Sequence, residues 1–284
     1  MTALLFVVTR LTGDPALVML PDDATPELIE ATRERLGLNE PLVVQYWTYI
    51  SQVATGDLGT SIRTRRPASE MIFARLPATL QLGAAAIFLT FVIGVPLGLY
   101  AAYRRGGWLD RVARVSAVGG QSVPPFWLGL VLIVLFAVNL GWLPAGGSNG
   151  LTSFILPAST MALASIAGVT RITRSSLLET LESDYIRMCR IKGLSERSVV
   201  WKHAARNAAL PVLTFGGILV ASLITGSIVV EVGFVWPGLG RLLLEASQVR
   251  DFPGTQGVVL VLAALFIMIN LIVDVLYSYL NPRL

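Results

Sequence analysis

Charged residues are scarce. Asp, Glu, Lys and Arg make up 14% of the 284 residues, where a soluble domain carries about 25%. That excludes an ordinary water-soluble globular protein. Cysteine occurs once, as Cys189, and histidine once, as His203. One cysteine excludes a disulfide framework within the chain and a cysteine-built zinc site. One histidine leaves little for imidazole metal binding or for the clustered acid–base groups that a membrane-bound enzyme needs. Lysine occurs only at Lys192 and Lys202, and neither follows a glycine. There is therefore no G-x-x-x-x-G-K-[ST] phosphate loop, and the chain does not bind ATP by that device.

Apolar residues fill the gap. They are 54% of the chain, and the mean hydropathy is +0.68. About 20 apolar residues in a helix cross the hydrocarbon of a bilayer. Five runs reach that scale, at 76–100, 118–140, 151–169, 208–230 and 258–280. Each mixes Gly, Ala, Ser or Thr with large apolar residues, which lets helices pack closely where no hydrophobic effect drives them together. Pro96, Pro124 and Pro125 lie in or at the edge of runs, where neighbouring helices re-satisfy the freed carbonyls. The pattern predicts an all-α polytopic membrane protein.

The N-terminus differs. Met1 to Val8 is apolar, but Thr9, Arg10, Gly13, Asp14 and Pro15 end the run. This is too short to span, so it reads either as a short re-entrant or interfacial piece or as the tail end of a first helix whose first half is missing, and it lacks the basic region and cleavage site of a signal peptide. A polar stretch follows. Thr25-Pro26-Glu27 is a helix start and Gly37 a stop. A second helix follows Pro41, with Val43, Tyr46, Trp47, Ile50 and Val53 at helical spacing. Gly56-Asp57-Leu58-Gly59 breaks it. The expected division is 1–75, partial helix and extracytoplasmic helical loop, then 76–284, a transmembrane domain with a cytoplasmic loop at 171–211.

Charge orients the chain. With the loops after the first and third runs and the C-terminus in the cytoplasm, thirteen of the 22 Lys and Arg lie inside. Their density there is roughly three times that outside, as the positive-inside rule requires.

The segment Arg171 to Pro211 is too structured for a simple connector. Leu177, Leu178, Leu181, Tyr185 and Met188 follow helical spacing between charges, Gly193 interrupts, and Ser195 can cap a second helix. A helical hairpin with an apolar stripe suits docking into a groove on a soluble partner. It suits lying on anionic headgroups equally well.

The stretch Asp184 to Pro211, D-Y-I-R-M-C-R-I-K-G-L-S-E-R-S-V-V-W-K-H-A-A-R-N-A-A-L-P, resembles the coupling loop of binding-protein-dependent ABC importer permeases. It is most similar to the dipeptide/oligopeptide/nickel branch. The matching positions are Asp184, Tyr185, Arg187, Arg190, Lys192, Gly193, Leu194, Ser195, His203, Ala204, Arg206, Asn207, Ala208 and Pro211. A distant segment, Glu231 with Phe234 and Trp236-Pro237-Gly238-Leu239-Gly240-Arg241, resembles that branch's extracytoplasmic loop motif. Arg250-Asp251-Phe252-Pro253 with Gln256-Gly257, Leu271 to Tyr277 and Asn281-Pro282-Arg283 fit as well, as do Gly13-Asp14-Pro15 and Gly56-Asp57-Leu58-Gly59. Cys189 and Ile191 stand where the branch has alanines. They are expected to face the partner still.

The resemblance implies an ABC type I importer permease fold with five complete transmembrane helices plus the partial first. It implies a channel-forming subunit, not an enzyme, in a bacterial or archaeal plasma (inner) membrane. No cofactor is expected on this chain; ATP and magnesium belong to two cytoplasmic ATPase subunits that receive the coupling loop. Further implied partners are a homologous second permease and an extracytoplasmic solute-binding protein, which meets the loop before the first strong run. No nucleic acid is implied. Di- or oligopeptides are the expected cargo, with nickel or another small solute as the alternative. A secondary transporter is more distant, because neither inverted repeats nor a chain of buried ionisable groups is present.

Single residues read more plainly. His203 lacks partners for catalysis or metal binding and is expected to contact the coupling helix or the ATPase. Asn270 and Asp274 lie near the cytoplasmic end of the last run, where snorkelling or pairing is expected over substrate contact. Gln81 and Asn139 are expected to bond between helices. Trp127, Trp142 and Trp236 are expected in interfacial belts.

Overall fold

The computed structural model describes residues 24–35, 37–108, 110–111 and 123–280, with 2–3, 6–7, 16–17, 20 and 119. Most of Met1 to Val8, Gly13-Asp14-Pro15, the start of the second run and Asn281-Pro282-Arg283 lie outside the described residues. In chain order the helices are α1 (Pro26–Arg35), α2 (Leu42–Ala54), α3 (Ala68–Tyr103), α4 (Pro125–Leu132) and α5 (Thr152–Leu181). They continue with α6 (Asp184–Ile191), α7 (Ala205–Gly233), α8 (Leu239–Gln248) and α9 (Phe252–Leu280). Wider π turns extend α4 over Ile133–Asn139 and precede α7 over Val199–Ala204. Among the described residues there is no strand, only an isolated bridge between Thr60 and Pro67.

Helices cover most of the described part of each of the five apolar runs; in the second, the continuous helix covers Pro125–Asn139. Among the described residues, three helices are long and apolar enough to cross a membrane by themselves, at Ala68–Tyr103, Thr152–Leu181 and Phe252–Val275, and Pro125–Asn139 is a shorter apolar helix. The helix of the third run, α5, continues to Leu181, well past the expected end at Val169. Leu177, Leu178 and Leu181 therefore belong to the extension of a spanning helix rather than to a separate hairpin arm.

The chain forms two compact units, residues 1–77 with 238–265, and residues 78–237 with 266–284. In the first, α1 begins as its sequence dictates: the Leu28 N–H donates to Thr25 Oγ1 at 3.4 Å. It stops before Gly37, whose φ of 64° is one a glycine adopts freely. Gln45 at the start of α2 donates to the Leu38 and Glu40 carbonyls. The core gathers Ala68, Ile72, Leu239, Leu242 and Val258. Beside it, buried Asp251 accepts from Ser61 Oγ at 2.5 Å and from the Ile62 N–H at 3.0 Å. This carboxylate fixes the loop before α3 to the start of α9.

In the second unit α5 is the central helix, with Leu156, Ala158, Met161, Ala162, Val169 and Leu177 all buried. Small residues set its crossing with α3. A Cβ added at Gly98 would come within 2.6 Å of Thr173 Cβ, and one at Gly94 within 3.0 Å of Val169. Thr170 Oγ1 donates to the Gly94 carbonyl at 3.2 Å. Gly216 meets Phe91, and Gly217 meets Val273 of α9, in the same way. Outward, α9 exposes Phe266, Ile267, Met268, Leu271, Ile272 and Val275. A contiguous apolar face of this size is at home against lipid tails or another membrane protein, not water.

Candidate functional site

The hairpin after α5 is built by local rules. Ser183, in extended backbone, precedes α6, and Asp184 sits in its first turn, where a carboxylate favours the positive end of the helix dipole. The helix closes at Gly193, φ 79°. The Gly193 N–H donates to the Arg190 carbonyl and the Leu194 N–H to the Cys189 carbonyl, the paired bonds of a Schellman stop. Ser195 then caps the return arm, accepting from the Ser198 N–H at 3.4 Å. That arm, Glu196–Ser198, passes through the π turn directly into α7. The hairpin is thus a rigid extension of a helix that lies over the fourth apolar run.

Its two faces differ. Ile186, Cys189, Val199, Val200, Ala204 and Ala208 are buried with Leu177 of α5 and Ala102 of α3. Tyr185, Met188, Ile191, Leu194 and Trp201 are exposed, Ile191 by 73%. The continuous stripe expected from the sequence is therefore split: Leu177 faces the core, Tyr185 and Met188 face out. Cys189 points inward, a correction to its expected place toward a partner, whereas Ile191 does point out.

Polar contacts brace the arms. Arg190 Nε donates to Glu196 Oε1 at 2.8 Å across the turn. Arg187 pairs with Asp184 at 3.3 Å. The Tyr185 hydroxyl and His203 Nδ1 are 2.8 Å apart. Desolvation first, then the Cys189 thiol, raises the Tyr185 phenol above its ordinary value, with Arg206 pulling the other way. His203 thus contacts α6 of its own chain. Lys192, Arg206 and Asn207 are exposed, so the outer face is cationic and apolar together.

One further brace carries no motif in the sequence. Asp110 is 1% exposed, and it accepts from Arg174 Nε at 2.5 Å and from the Gly106 N–H at 3.0 Å. It ties the loop after α3 to α5. An acid within a basic loop is the signal that could have found it.

The second motif divides between the two units. Glu231 is fully buried, its Oε1 accepting from Ser227 Oγ at 3.2 Å. Trp236 is 1% exposed; its Nε1–H donates to the Ala78 carbonyl at 3.0 Å, and its ring meets Phe154 edge-on. Trp236 is a core residue, which overturns its expected place in an interfacial belt; Trp127 and Trp142 are exposed as a belt requires. Between Glu231 and Trp236, Val235 holds φ 53°. Pro237, partly buried, ends this unit. In the other unit Gly238 and Gly240 are buried and Arg241 partly so, and Arg241 Nε donates to Glu245 at 2.8 Å. Gln81 and Asn139 are exposed instead of lying between helices of this chain. Asn270 bonds the Phe266 carbonyl of its own helix, and Asp274 is exposed.

Comparison with known proteins adds to this geometry. Residues 94–284 match the family described as "Binding-protein-dependent transport system inner membrane component", and residues 1–83 match its N-terminal counterpart. The "Glutathione transport system permease protein GsiC" of Salmonella choleraesuis (strain SC-B67) is 45% identical over 277 residues, 98% of this chain and 90% of the relative. Its Escherichia coli (strain K12) counterpart is 44% identical over the same shares. Two solved structures share the fold. An inward-facing MetNI methionine ABC transporter has a TM-score of 0.59 at 21% identity, covering 74% of this chain and 95% of that one. An amino acid ABC transporter has a TM-score of 0.56 at 20% identity, covering 76% and 95%.

Proposed function

Because this chain belongs to the binding-protein-dependent transport system inner membrane components, we propose that it carries short peptides, using the Asp184–Asn207 hairpin to receive force from an ATPase. As a member it is a channel-forming permease subunit of an ABC importer, resident in an inner membrane, and not an enzyme. Such permeases work with ATPase subunits and a binding protein. We assign this chain a homologous second permease, two ATPase subunits with their ATP and magnesium, and a solute-binding protein. The hairpin and C-terminus face the cytoplasm, and the segment 1–75 faces out.

The observation that carries this reading is the split of the hairpin. Its inner face is locked onto α5 and α3 within the same unit, and its outer face offers Tyr185, Met188, Ile191 and Leu194. A protrusion rigidly continuous with a membrane helix transmits displacement, while a loose amphipathic loop would not. Around it, Arg187, Arg190, Lys192 and Arg206 supply charge that can meet acidic groups on a groove rim. Glu231, Trp236, Pro237, Gly238, Gly240 and Arg241 are assigned to shaping the extracytoplasmic loop.

The cargo rests on relatives. Those at 44–45% identity are named as glutathione transport permeases, and glutathione is a short peptide. The complex reconstituted in proteoliposomes, with its binding protein outside and ATP inside, should accumulate labelled glutathione or dipeptides. Intact ATP hydrolysis with no uptake of any short peptide would refute the cargo.

A further inference from the structure

Helix α2 has no charged side chain from Leu42 to Ala54, yet it turns apolar residues outward. Leu42, Val43 and Trp47 are 64%, 68% and 66% exposed. Val43, Trp47, Ser51 and Ala54 recur at helical spacing and are all exposed, so they share one outward stripe. The other side is the one held down. Gln45 bonds the Leu38 and Glu40 carbonyls, and Tyr46 and Tyr49 pack against Phe6. The helix is inside-out for water.

Charge and chain continuity choose what covers this face. A protein partner's docking surface is rimmed by polar and charged groups, and α2 offers no charge along about 20 Å of helix. Its neighbour α1 is the opposite, with Glu27, Glu30 and Glu34 exposed. Two membrane-spanning helices, α3 at Ala68 and α9 at Phe252, begin in the same compact unit as α2. That unit is therefore attached at a bilayer surface by two helix starts. Phe73, in the early turns of α3 and in the same unit, is 60% exposed. Apolar residues with Trp and Tyr and no charge match the headgroup–acyl boundary.

We propose that α2 is an interfacial helix whose Leu42, Val43 and Trp47 lie in the lipid boundary, so that lipid and not the solute-binding protein covers this face. The polar face of α1 is then the part of the cap left for a protein. The inference depends on the functional reading only for which leaflet is meant.

Nitroxide labels test it in the assembled complex in lipid nanodiscs, in a Cys189→Ser background. Labels go at Val43→Cys and Trp47→Cys, with Glu27→Cys on α1 as the aqueous reference. At 43 and 47 collisions with oxygen should exceed those with a polar nickel chelate, and the order should reverse at 27. Adding the solute-binding protein should leave the spectra at 43 and 47 unchanged. Nickel-dominated collisions at either position, or immobilisation on adding the binding protein, would overturn the proposal. Sidedness is read separately: an impermeant reductant outside right-side-out vesicles should quench the label at 27. Failure of that result alone would reverse the orientation but not the lipid contact.

Discussion

Val235 holds a backbone angle that a β-branched residue adopts at a cost, with φ at 53°. It sits where helices commonly end on glycine, since α7 ends at Gly233 and the Trp236 N–H reaches back to the Glu231 carbonyl at 2.8 Å. Val235→Gly should relieve about 1 kcal/mol of backbone strain, raising the apparent melting temperature of the purified complex. An unchanged or lower value would mean that the valine side chain makes contacts worth more than the strain. Gly193 is the reverse case. It needs its φ of 79°, but the space around it is open, with nothing within 4 Å of where a Cβ would stand. Gly193→Arg should cost about 1–2 kcal/mol in backbone terms and still fold. It should hydrolyse ATP with uptake abolished, or lose its ATPase subunits on purification. Wild-type uptake would count against docking. Gly193 and Ser195 were legible in the sequence because turns and caps are local. The burial of Trp236 and Cys189 was not, since their partners Ala78, Phe154 and Val200 are remote or on a different helical turn.

Among the elements, the crossing of α3 and α5 rests on two glycines. Gly98 leaves no room for a Cβ, with Thr173 Cβ at 2.6 Å and the Thr170 carbonyl at 2.7 Å; Gly94 is looser, at 3.0 Å. Gly98→Ala should therefore destabilise more than Gly94→Ala, by about 1–3 kcal/mol for an overpacked contact. The yield of monodisperse complex in detergent would rank them, and equal yields would contradict the packing. The existence of these helices was plain from apolar runs, because a bilayer needs a minimum length whatever the packing. Their ends were less plain. α5 continues beyond its apolar run to Leu181 because Leu177 has Ile186 and Val199 of the hairpin to bury against. Hydropathy sees the bilayer, not that hairpin core. The run of the return arm into α7 was hidden for a related reason: a π turn with Lys202 and His203 looks like loop.

The whole molecule has to transmit force that it does not generate. The chain has no phosphate loop, and it belongs to a family whose ATP hydrolysis occurs elsewhere, so force must enter through a surface. Charge asymmetry indicated the side, and the resemblance of Asp184–Pro211 indicated the place. Periodicity and charge alone left a groove and a headgroup layer tied as occupants of that surface. The split hairpin favours the groove, because the residues that lipid would have taken include Ile186 and Cys189, which the protein's own core already holds. A photo-crosslinking residue at Met188 or Ile191, in the intact complex, tests this most directly. Docking predicts a crosslink to the ATPase subunit that stops uptake, with none from Ile186. Crosslinks to lipid from both outer positions, with uptake unimpaired, would contradict it.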